Sequence, residues 1–304
     1  MRALILALLA AAAPANAARW TISEALYPGS GRYLGQDFHA GGVSASGRWG
    51  AGVRVKSFRY LNAFPGTEVE TSAEISRRLP HVSIGGRIGT APPNAQRAGY
   101  HVAGGDALLT WYGLSLGPSE LDDAATVSED TTTASELLRL DRTWVTTLHP
   151  RFTTTNHRQP SQNGRLPEFI LVQNTWQFDL ALAWKNATKL TLSGGGDRYN
   201  ITVLPQNPTW YLWNVDYAGA PIAVRGWPNN HFGAQLEQKT GDFTARAGFT
   251  RLNMIWGGLE ILAGGEAAWH PRGTGGELRL GWFQRHTRGH ETVSVWGLGG
   301  GWSF

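Results

Sequence analysis

The sequence predicts an all-β chain that folds as an antiparallel transmembrane β-barrel of roughly 12–14 strands. Many segments alternate between large apolar residues and small or polar ones, which is typical of strands. Several of these segments reach the length of about 9–11 residues that a strand needs to cross a bilayer. Aromatic residues also lie near the segment ends, where a membrane barrel has its interfacial girdles. A soluble β-sandwich would share the alternation but not these two features.

The composition excludes several other classes. The 304 residues contain no Cys, which excludes a disulfide framework, a thiolate metal site, a cysteine nucleophile and a lipidated N-terminal cysteine. Only 16% of the residues are charged, against about 25% in a typical soluble protein, whereas 14 are Trp. The surface is therefore predicted not to face water everywhere. Basic residues are not clustered, so we expect no nucleic-acid partner.

The first element is a predicted signal peptide over residues 1–17. Arg2 supplies the positive start and an apolar run follows over 3–13. Ala15 and Ala17 are the small residues of a cleavage site after Ala17. The run is shorter than the ~20 residues of a membrane-spanning helix. Residues 18–32 form an N-terminal segment that could plug, extend or begin the barrel, and 33–304 are predicted as the barrel.

Turn residues divide the remainder into candidate strands. They lie near 33–44, 47–60, 67–78, 81–90, 99–117, 135–148, 168–185, 189–203, 208–217, 219–227, 231–239, 242–252, 255–270, 274–286 and 290–304. The number of these segments is odd, whereas single-chain bacterial barrels close with an even number of strands. At least one segment is therefore not a barrel strand, and 219–227 fits least well because it contains Pro221.

The connections follow from counting back from the last strand. With both barrel ends in the periplasm, the connection at 287–289 lies outside the cell and the one at 271–275 lies inside. With this assignment of the two sides of the membrane, the polar stretch 149–167 is predicted as a long extracellular loop. The acidic stretch 117–134 is predicted as an unusually long periplasmic turn, unless it contains a strand.

The last nine residues carry a recognisable pattern. Trp296, Leu298, Trp302 and Phe304 occupy alternate positions, and only Gly300 departs from the apolar series. This ending resembles the C-terminal signature of Gram-negative outer-membrane β-barrel proteins, the strand that the barrel-assembly machinery recognises. The resemblance implies an outer-membrane location, contact with outer-membrane lipid and the assembly machinery as a partner during insertion. It indicates no narrower family.

The opposite strand face carries charges of both signs, which would line the barrel interior. We expect Arg54 and Lys56 to lie opposite Glu70 and Glu74, because charges inside a barrel must be paired or hydrated. Arg279 is expected opposite Glu266 in the same way. The predicted lumen-lining residues are Arg54, Lys56, Glu70, Glu74, Arg139, Asp141, Arg246, Glu260, Glu266, Glu277 and Arg279.

Three functions fit this pattern. The sequence favours a passive channel or pore for small polar solutes, with the charged lumen as its selectivity surface. Alternatively, cross-strand salt bridges close the lumen, and the extracellular loops of a structural barrel bind a partner. An outer-membrane lipid-modifying enzyme would need a His beside a Ser or Asp at one rim, and the nine His form no such motif. We therefore predict no catalytic residue, no metal site and no cofactor.

Overall fold

The computed structural model describes thirteen segments of the chain. Within these described segments, no helix has the length and apolar character needed to span a membrane. The described residues are 17–30, 33–60, 64–79, 82–93, 99–111, 144–159, 169–184, 187–200, 213–214, 223–224, 227–255, 258–289 and 292–303.

The described chain is built from strands. They are β1 (Ala17–Gly29), β2 (Tyr33–Ser44), β3 (Trp49–Tyr60), β4 (Phe64–Arg78), β5 (Val82–Ala91), β6 (Gly99–Trp111), β7 (Trp144–Gln159), β8 (Phe169–Trp184), β9 (Thr188–Tyr199), β10 (Trp213–Asn214), β11 (Ala223–Val224), β12 (Pro228–Thr240), β13 (Phe243–Met254), β14 (Leu259–Trp269), β15 (Gly276–Thr287) and β16 (Val293–Ser303).

Fourteen of these strands form one closed antiparallel barrel. Neighbours in the chain are neighbours in the barrel, except that β9 pairs with β12. The first and last strands close the barrel, with Ile22 opposite Trp302 and Leu26 opposite Leu298. The predicted all-β barrel with an even number of antiparallel strands is therefore confirmed.

The N-terminal segment begins the barrel. Residues 18–32, whose structure the sequence left open, contribute most of β1, which starts at Ala17 and pairs with both β2 and β16. Residues 1–16, including Ala15, lie outside the described residues.

Strand β7 differs from the sequence prediction. The stretch 149–167 was expected to be a loop, but residues up to Gln159 continue β7 and pair with β6 and β8. Pro150 explains the wrong prediction, because proline is rare inside sheets and cannot donate a ladder hydrogen bond. The β6–β7 ladder accommodates it by omitting Ala107 and Leu108, the residues that would lie opposite Pro150 and His149.

The candidate strands at 208–217 and 219–227 are also wrong as barrel strands. Their described parts are the two-residue strands β10 and β11, which pair only with each other in a separate sheet. Without these two segments, and with β1 added, the number of barrel strands becomes even. The acidic stretch 117–134 and the first part of the candidate strand at 135–148 lie outside the described residues.

The barrel has two rims. We call the rim where β1 begins and β16 ends the first rim, and the rim where β1 ends and β16 begins the second rim. The β12–β13 hairpin turns at the first rim, where Gly241 has a φ of 60° that favours glycine. Strand β6 ends and β7 begins at the first rim too.

The outer face of the wall is apolar between two aromatic levels. Trp184 ends β8 at the first rim, and Trp176 lies eight residues before it on the same face. Eight residues span about 26 Å along a strand, or about 20 Å along the axis at a tilt of about 40°. The exposed aromatics of this face are Trp49, Phe152, Trp176, Phe178, Trp184, Phe232, Phe243, Phe249, Trp269, Trp282, Trp296 and Trp302.

Candidate functional site

The inner face of the barrel is the candidate site, because it is polar where the outer face is apolar. Side chains alternate across each strand, so the exposed Ile75 and Ile88 face outward while the neighbouring Glu74 and Arg87 face the lumen. The same alternation holds at β15, where Leu280 faces outward and Arg279 inward. The wall thus separates two chemical environments.

A ring of charges lines the lumen between the two rims. Acidic residues lie on β2, β4, β6 and β8, and arginines lie on the strands between them, β3, β5 and β7. On β13, β14 and β15 the signs alternate again as Arg246, Glu266 and Arg279. We call this set the charge ring: Asp37, His39, Arg54, Glu74, Arg87, Asp106, His149, Arg151, Asp179, Arg246, Glu266 and Arg279.

Most members of the charge ring form ion pairs across neighbouring strands. Arg54 Nη2 donates to Asp37 Oδ2 at 2.5 Å, and its Nε lies 2.9 Å from Asp37 Oδ1, so the contact is bidentate. Arg151 donates to Asp179 on the next strand. Arg246 and Glu266 are more loosely paired, with 3.4 Å between Nε and Oε1. On the strands that carry these pairs, the positive and negative charges therefore largely cancel.

Two histidines belong to the charge ring. His149 Nε2 lies 2.7 Å from Asp106 Oδ2, and His39 Nε2 lies 3.2 Å from Glu74 Oε1. Each carboxylate can accept a hydrogen bond from a neutral or a protonated imidazole. These pairs continue the alternation of proton donors and acceptors around the wall.

The arginine side chains of the charge ring are reached by solvent. The side chain of Arg54 is 33% exposed and that of Arg246 is 37% exposed. Both face the lumen, so the lumen at this level has room for water. This hydration stabilises charges that would otherwise be costly to bury.

The lumen is filled at a level nearer the second rim. Trp227, just before β12, is 1% exposed and packs edge-on against His157 and Tyr199, with ring centroids 6.1 and 5.4 Å apart. His157 Nε2 lies 2.8 Å from Gln173 Oε1. Gln173 Nε2 donates to Asp197 Oδ1 at 2.8 Å. We call Tyr100, His157, Gln173, Asp197, Tyr199 and Trp227 the second-rim cluster.

Tyr100 joins the second-rim cluster to the charge ring. Its hydroxyl donates to Glu70 Oε2 at 2.7 Å, while Arg87 donates to Glu70 Oε1 at 2.5 Å. Tyr100 also packs against His157, with 5.9 Å between ring centroids. A hydrated level and a filled level are thus linked by direct hydrogen bonds.

Among the described residues of the first rim, His270 has a perturbed pKa. Partial burial lowers the pKa of His270, which directly follows β14, and the nearby positive charges of Lys239, Arg279 and Arg246 lower it further. Asp242 opposes this shift. His270 also lies 3.5 Å from Glu277, measured from Nδ1 to Oε2. At neutral pH the imidazole is therefore neutral.

Most of the predicted lumen residues lie on the inner face. Lys56 is opposite Glu70, as expected from the sequence. Of the residues predicted to line the lumen, those that the structure describes on this face are Arg54, Lys56, Glu70, Glu74, Arg246, Glu260, Glu266, Glu277 and Arg279. Arg139 and Asp141 lie outside the described residues. Of the predicted assembly signal, Trp296, Leu298 and Trp302 are exposed on the outer face, and Phe304 is outside the described residues.

Several pairings differ from the expected ones. Arg54 pairs with Asp37 on β2 rather than with Glu70 or Glu74 on β4. Arg279 pairs with Glu277 on its own strand, and Glu266 pairs with Arg246. Asp37 and Arg151 were not among the residues predicted to line the lumen, although both alternate with outward residues. Their signal was weak because glycines follow Asp37 in β2 and Pro150 precedes Arg151.

The described histidine contacts do not form a nucleophile and base pair of the usual kind. Their hydrogen bonds go to carboxylates, an amide and threonines, and none of these described bonds goes to a serine. On the outer face, His101 Nδ1 lies 3.0 Å from Thr90 Oγ1, with no carboxylate described beside the pair. Among the described residues, no three ligating side chains are grouped to hold a metal ion.

Comparison with known proteins finds low sequence identity and low structural similarity. No protein-family model matches the chain, and no curated protein sequence matches it. The outer membrane protein OpdK from Pseudomonas aeruginosa is 8% identical, with a TM-score of 0.46 over 94% of this chain and 98% of that one. The CymD monoaromatic hydrocarbon channel is 7% identical, with a TM-score of 0.48 over 95% of this chain and 89% of that one.

A third similar structure is a BenF-like porin from Pseudomonas fluorescens Pf-5. It is 9% identical, with a TM-score of 0.44 over 95% of this chain and 98% of that one. The assignment of the fold rests on the strand ladder described above, not on these likenesses.

Proposed function

We propose that the chain is a passive channel for small polar solutes in the outer membrane of a Gram-negative bacterium. The observation that carries the proposal is the solvent-exposed charge ring inside a closed barrel whose outer face is apolar. Eight-stranded barrels are filled by side chains, whereas barrels of 16–18 strands leave an aqueous channel. Fourteen strands leave more room than the former, and the exposure of Arg54 and Arg246 is consistent with water at the ring.

The membrane location is supported by the wall. Exposed Trp, Phe, Leu and Ile cover the outer face, and aromatic residues lie at both edges of that band, as expected for a transmembrane barrel. Beyond the second aromatic level the outer residues become polar, as at Asn156 and His286. We place the first rim in the periplasm and the second rim outside the cell. Export by the signal peptide and insertion by the barrel-assembly machinery belong to the same proposal.

The solute class follows from the paired charges. The charge ring alternates in sign along β2–β8 and again along β13–β15, so it offers both donors and acceptors without a strong net field. Such a lining favours neutral and zwitterionic polar solutes and gives weak selection between cations and anions. The second-rim cluster fills the lumen beyond the charge ring, so passage requires its side chains to move and is restricted to small molecules.

Solute uptake into liposomes tests this function. Liposomes that contain the purified barrel should swell in isotonic solutions of small sugars or amino acids, and the rate should fall as solute size rises. Liposomes with heat-denatured protein serve as the control. Equal rates in both preparations for every solute would contradict the channel.

The filled second rim favours a second candidate function. If the second-rim cluster never opens, the chain is a structural barrel whose loops at the second rim bind a partner or an envelope polymer. The wild type together with one variant, Trp227→Ala, distinguishes the two functions. Swelling in the wild type favours the channel, whereas swelling that is absent from the wild type, whether or not it appears after Trp227 is truncated, would favour the closed barrel.

A further inference from the structure

A carboxylate interrupts the apolar outer face of the barrel. Glu24 lies on β1 between Ile22 and Leu26, and all three side chains are exposed. In the strand ladder it lies opposite Phe38 of β2 and Gly300 of β16. The exposed Trp302 and Trp296 lie on either side of Gly300 along β16, so Glu24 sits inside the apolar band. An ionisable side chain facing lipid there is costly and calls for a partner.

Gln36 on β2 is the described partner of Glu24. Its Nε2 donates to Glu24 Oε1 at 2.7 Å, and both side chains are exposed on the outer face. The amide has a second N–H and a carbonyl oxygen, and the carboxylate has a second oxygen. In the described part of the chain no salt bridge reaches Glu24. The pair therefore presents both donors and acceptors to whatever lies outside.

The outer face beside this pair is mainly apolar and bulky. Ile22, Leu26 and Trp302 are exposed there, and Gly300 is the small residue directly opposite Glu24. Polar side chains between two membrane segments form hydrogen bonds with each other. The polar pair is therefore the feature of this face that a partner can recognise.

We propose that two copies of this chain associate in the membrane through the outer face of β16, β1 and β2. A twofold axis along the barrel direction brings the same surface of both copies together. Glu24 of each copy then accepts a hydrogen bond from the free N–H of Gln36 of the other. This inference rests on the proposed membrane location but not on conduction through the lumen.

The donor and acceptor pattern selects a second copy as the occupant. A carboxylate alone would call for a basic partner, but the amide of Gln36 beside it supplies the complementary donor within the same surface. A lipid headgroup does not fit, because Glu24 lies inside the apolar band rather than at its edge. Self-complementarity is the property that a twofold interface requires.

Substitutions at the pair test the interface. Glu24→Leu and Gln36→Leu should each lower the dimer fraction in detergent or nanodiscs by about tenfold, because each removes two symmetric hydrogen bonds. Glu24→Gln keeps a side chain that can accept and donate, so it should retain the dimer. Gln238→Leu, which removes an exposed outer amide bonded to Thr188 on the far wall, is the matched control. A folded wild-type protein that is monomeric throughout overturns the inference, and so does equal loss in the control.

Crosslinking in membranes gives a second readout that needs no change at the pair. The chain has no Cys, so Leu26→Cys introduces the only thiol, beside Glu24. A short bismaleimide should crosslink Leu26→Cys into dimers, whereas Leu236→Cys on the far wall should stay monomeric. Equal crosslinking of both, or of neither, overturns the interface. Fractionation is done first, because a chain that is absent from the membrane fraction contradicts the proposed location instead.

Discussion

Arg54 and Asp37 are the residues whose removal shows most directly that the charge ring faces the conducting path. Arg54→Gln removes one positive charge from beside the carboxylate of Asp37, so the channel should become more permeable to cations. We expect the permeability ratio to change by about fivefold, as about 1 kcal/mol of charge interaction through water would give. The reversal potential across a bilayer under a salt gradient measures this ratio.

Two further variants complete that experiment. Asp37→Asn removes the negative charge, so it should shift the reversal potential towards anion selectivity. The double variant with both Arg54→Gln and Asp37→Asn should return near the wild-type value. Arg77→Gln is the matched control, since Arg77 lies on the outer face over the ring of Trp49. An equal shift in Arg77→Gln would show that the effect does not come from the lumen.

His270 gives a prediction in pH. Its pKa is lowered in the folded barrel from the ordinary value of 6.5, chiefly by partial burial. Below that ordinary value the unfolded chain binds a proton that the folded barrel does not, so the free energy of unfolding falls as pH falls. His270→Gln should therefore lose less stability than the wild type between pH of about 7.5 and 5.5. Urea denaturation in detergent at both pH values measures this, and equal losses would contradict it.

At the residue scale, the sequence predicted which charges face inward but not which ones meet. The face of the barrel on which a side chain lies depends only on the two-residue period of a strand. Glu74, Arg246 and Glu277 could therefore be assigned to the inner face without the structure. Pairing depends on the register between strands, which turn lengths and irregularities set. The pairing of Arg54 with Asp37 follows from the β2–β3 register, with His39 directly opposite Arg54.

At the element scale, the turn between β14 and β15 supports the closing strand. Gly275 has a φ of 64°, and a Cβ there would lie 2.5 Å from the carbonyl oxygen of Ser303 on β16. Gly273 in the same turn has a φ of 73° with no atom within 4 Å of such a Cβ. The two glycines therefore share the backbone strain but not the contact.

Alanine substitutions separate these two effects. Gly273→Ala should destabilise the barrel by about 1–2 kcal/mol, the cost of the left-handed conformation for a residue with a Cβ. Gly275→Ala should cost more, because it also displaces the last strand. Denaturation midpoints of the two variants in the same detergent measure the difference. Equal midpoints would show that β16 does not depend on this turn.

The elements were predictable where turns and alternation agree. β2 begins and ends as the sequence predicts, and the hairpin at Gly241 lies where expected. The position of β7 was predicted wrongly because its inner face carries His and Arg and its outer face contains Pro150, a pattern typical of a loop. The structure of residues 18–32 was left open because they adjoin the predicted cleavage site and because Glu24 interrupts their apolar face.

At the scale of the whole molecule, the barrel has a hydrated level and a filled level. The charge ring is reached by solvent, whereas Leu171 and Leu252 on the inner face near the second rim are fully buried. Trp227 lies in the filled level between His157 and Tyr199. Nothing in the sequence marked Trp227, since its burial depends on the return of the chain from β9 to β12.

Single-channel recording in planar bilayers tests whether a water-filled path runs through the charge ring. We expect discrete conductance steps for the purified barrel, and larger steps for Trp227→Ala because the second-rim cluster loses its largest side chain. A Trp184→Ala variant, truncated on the outer face, should match the wild type. No steps in the wild type or in Trp227→Ala at any voltage would contradict a water-filled path through the charge ring.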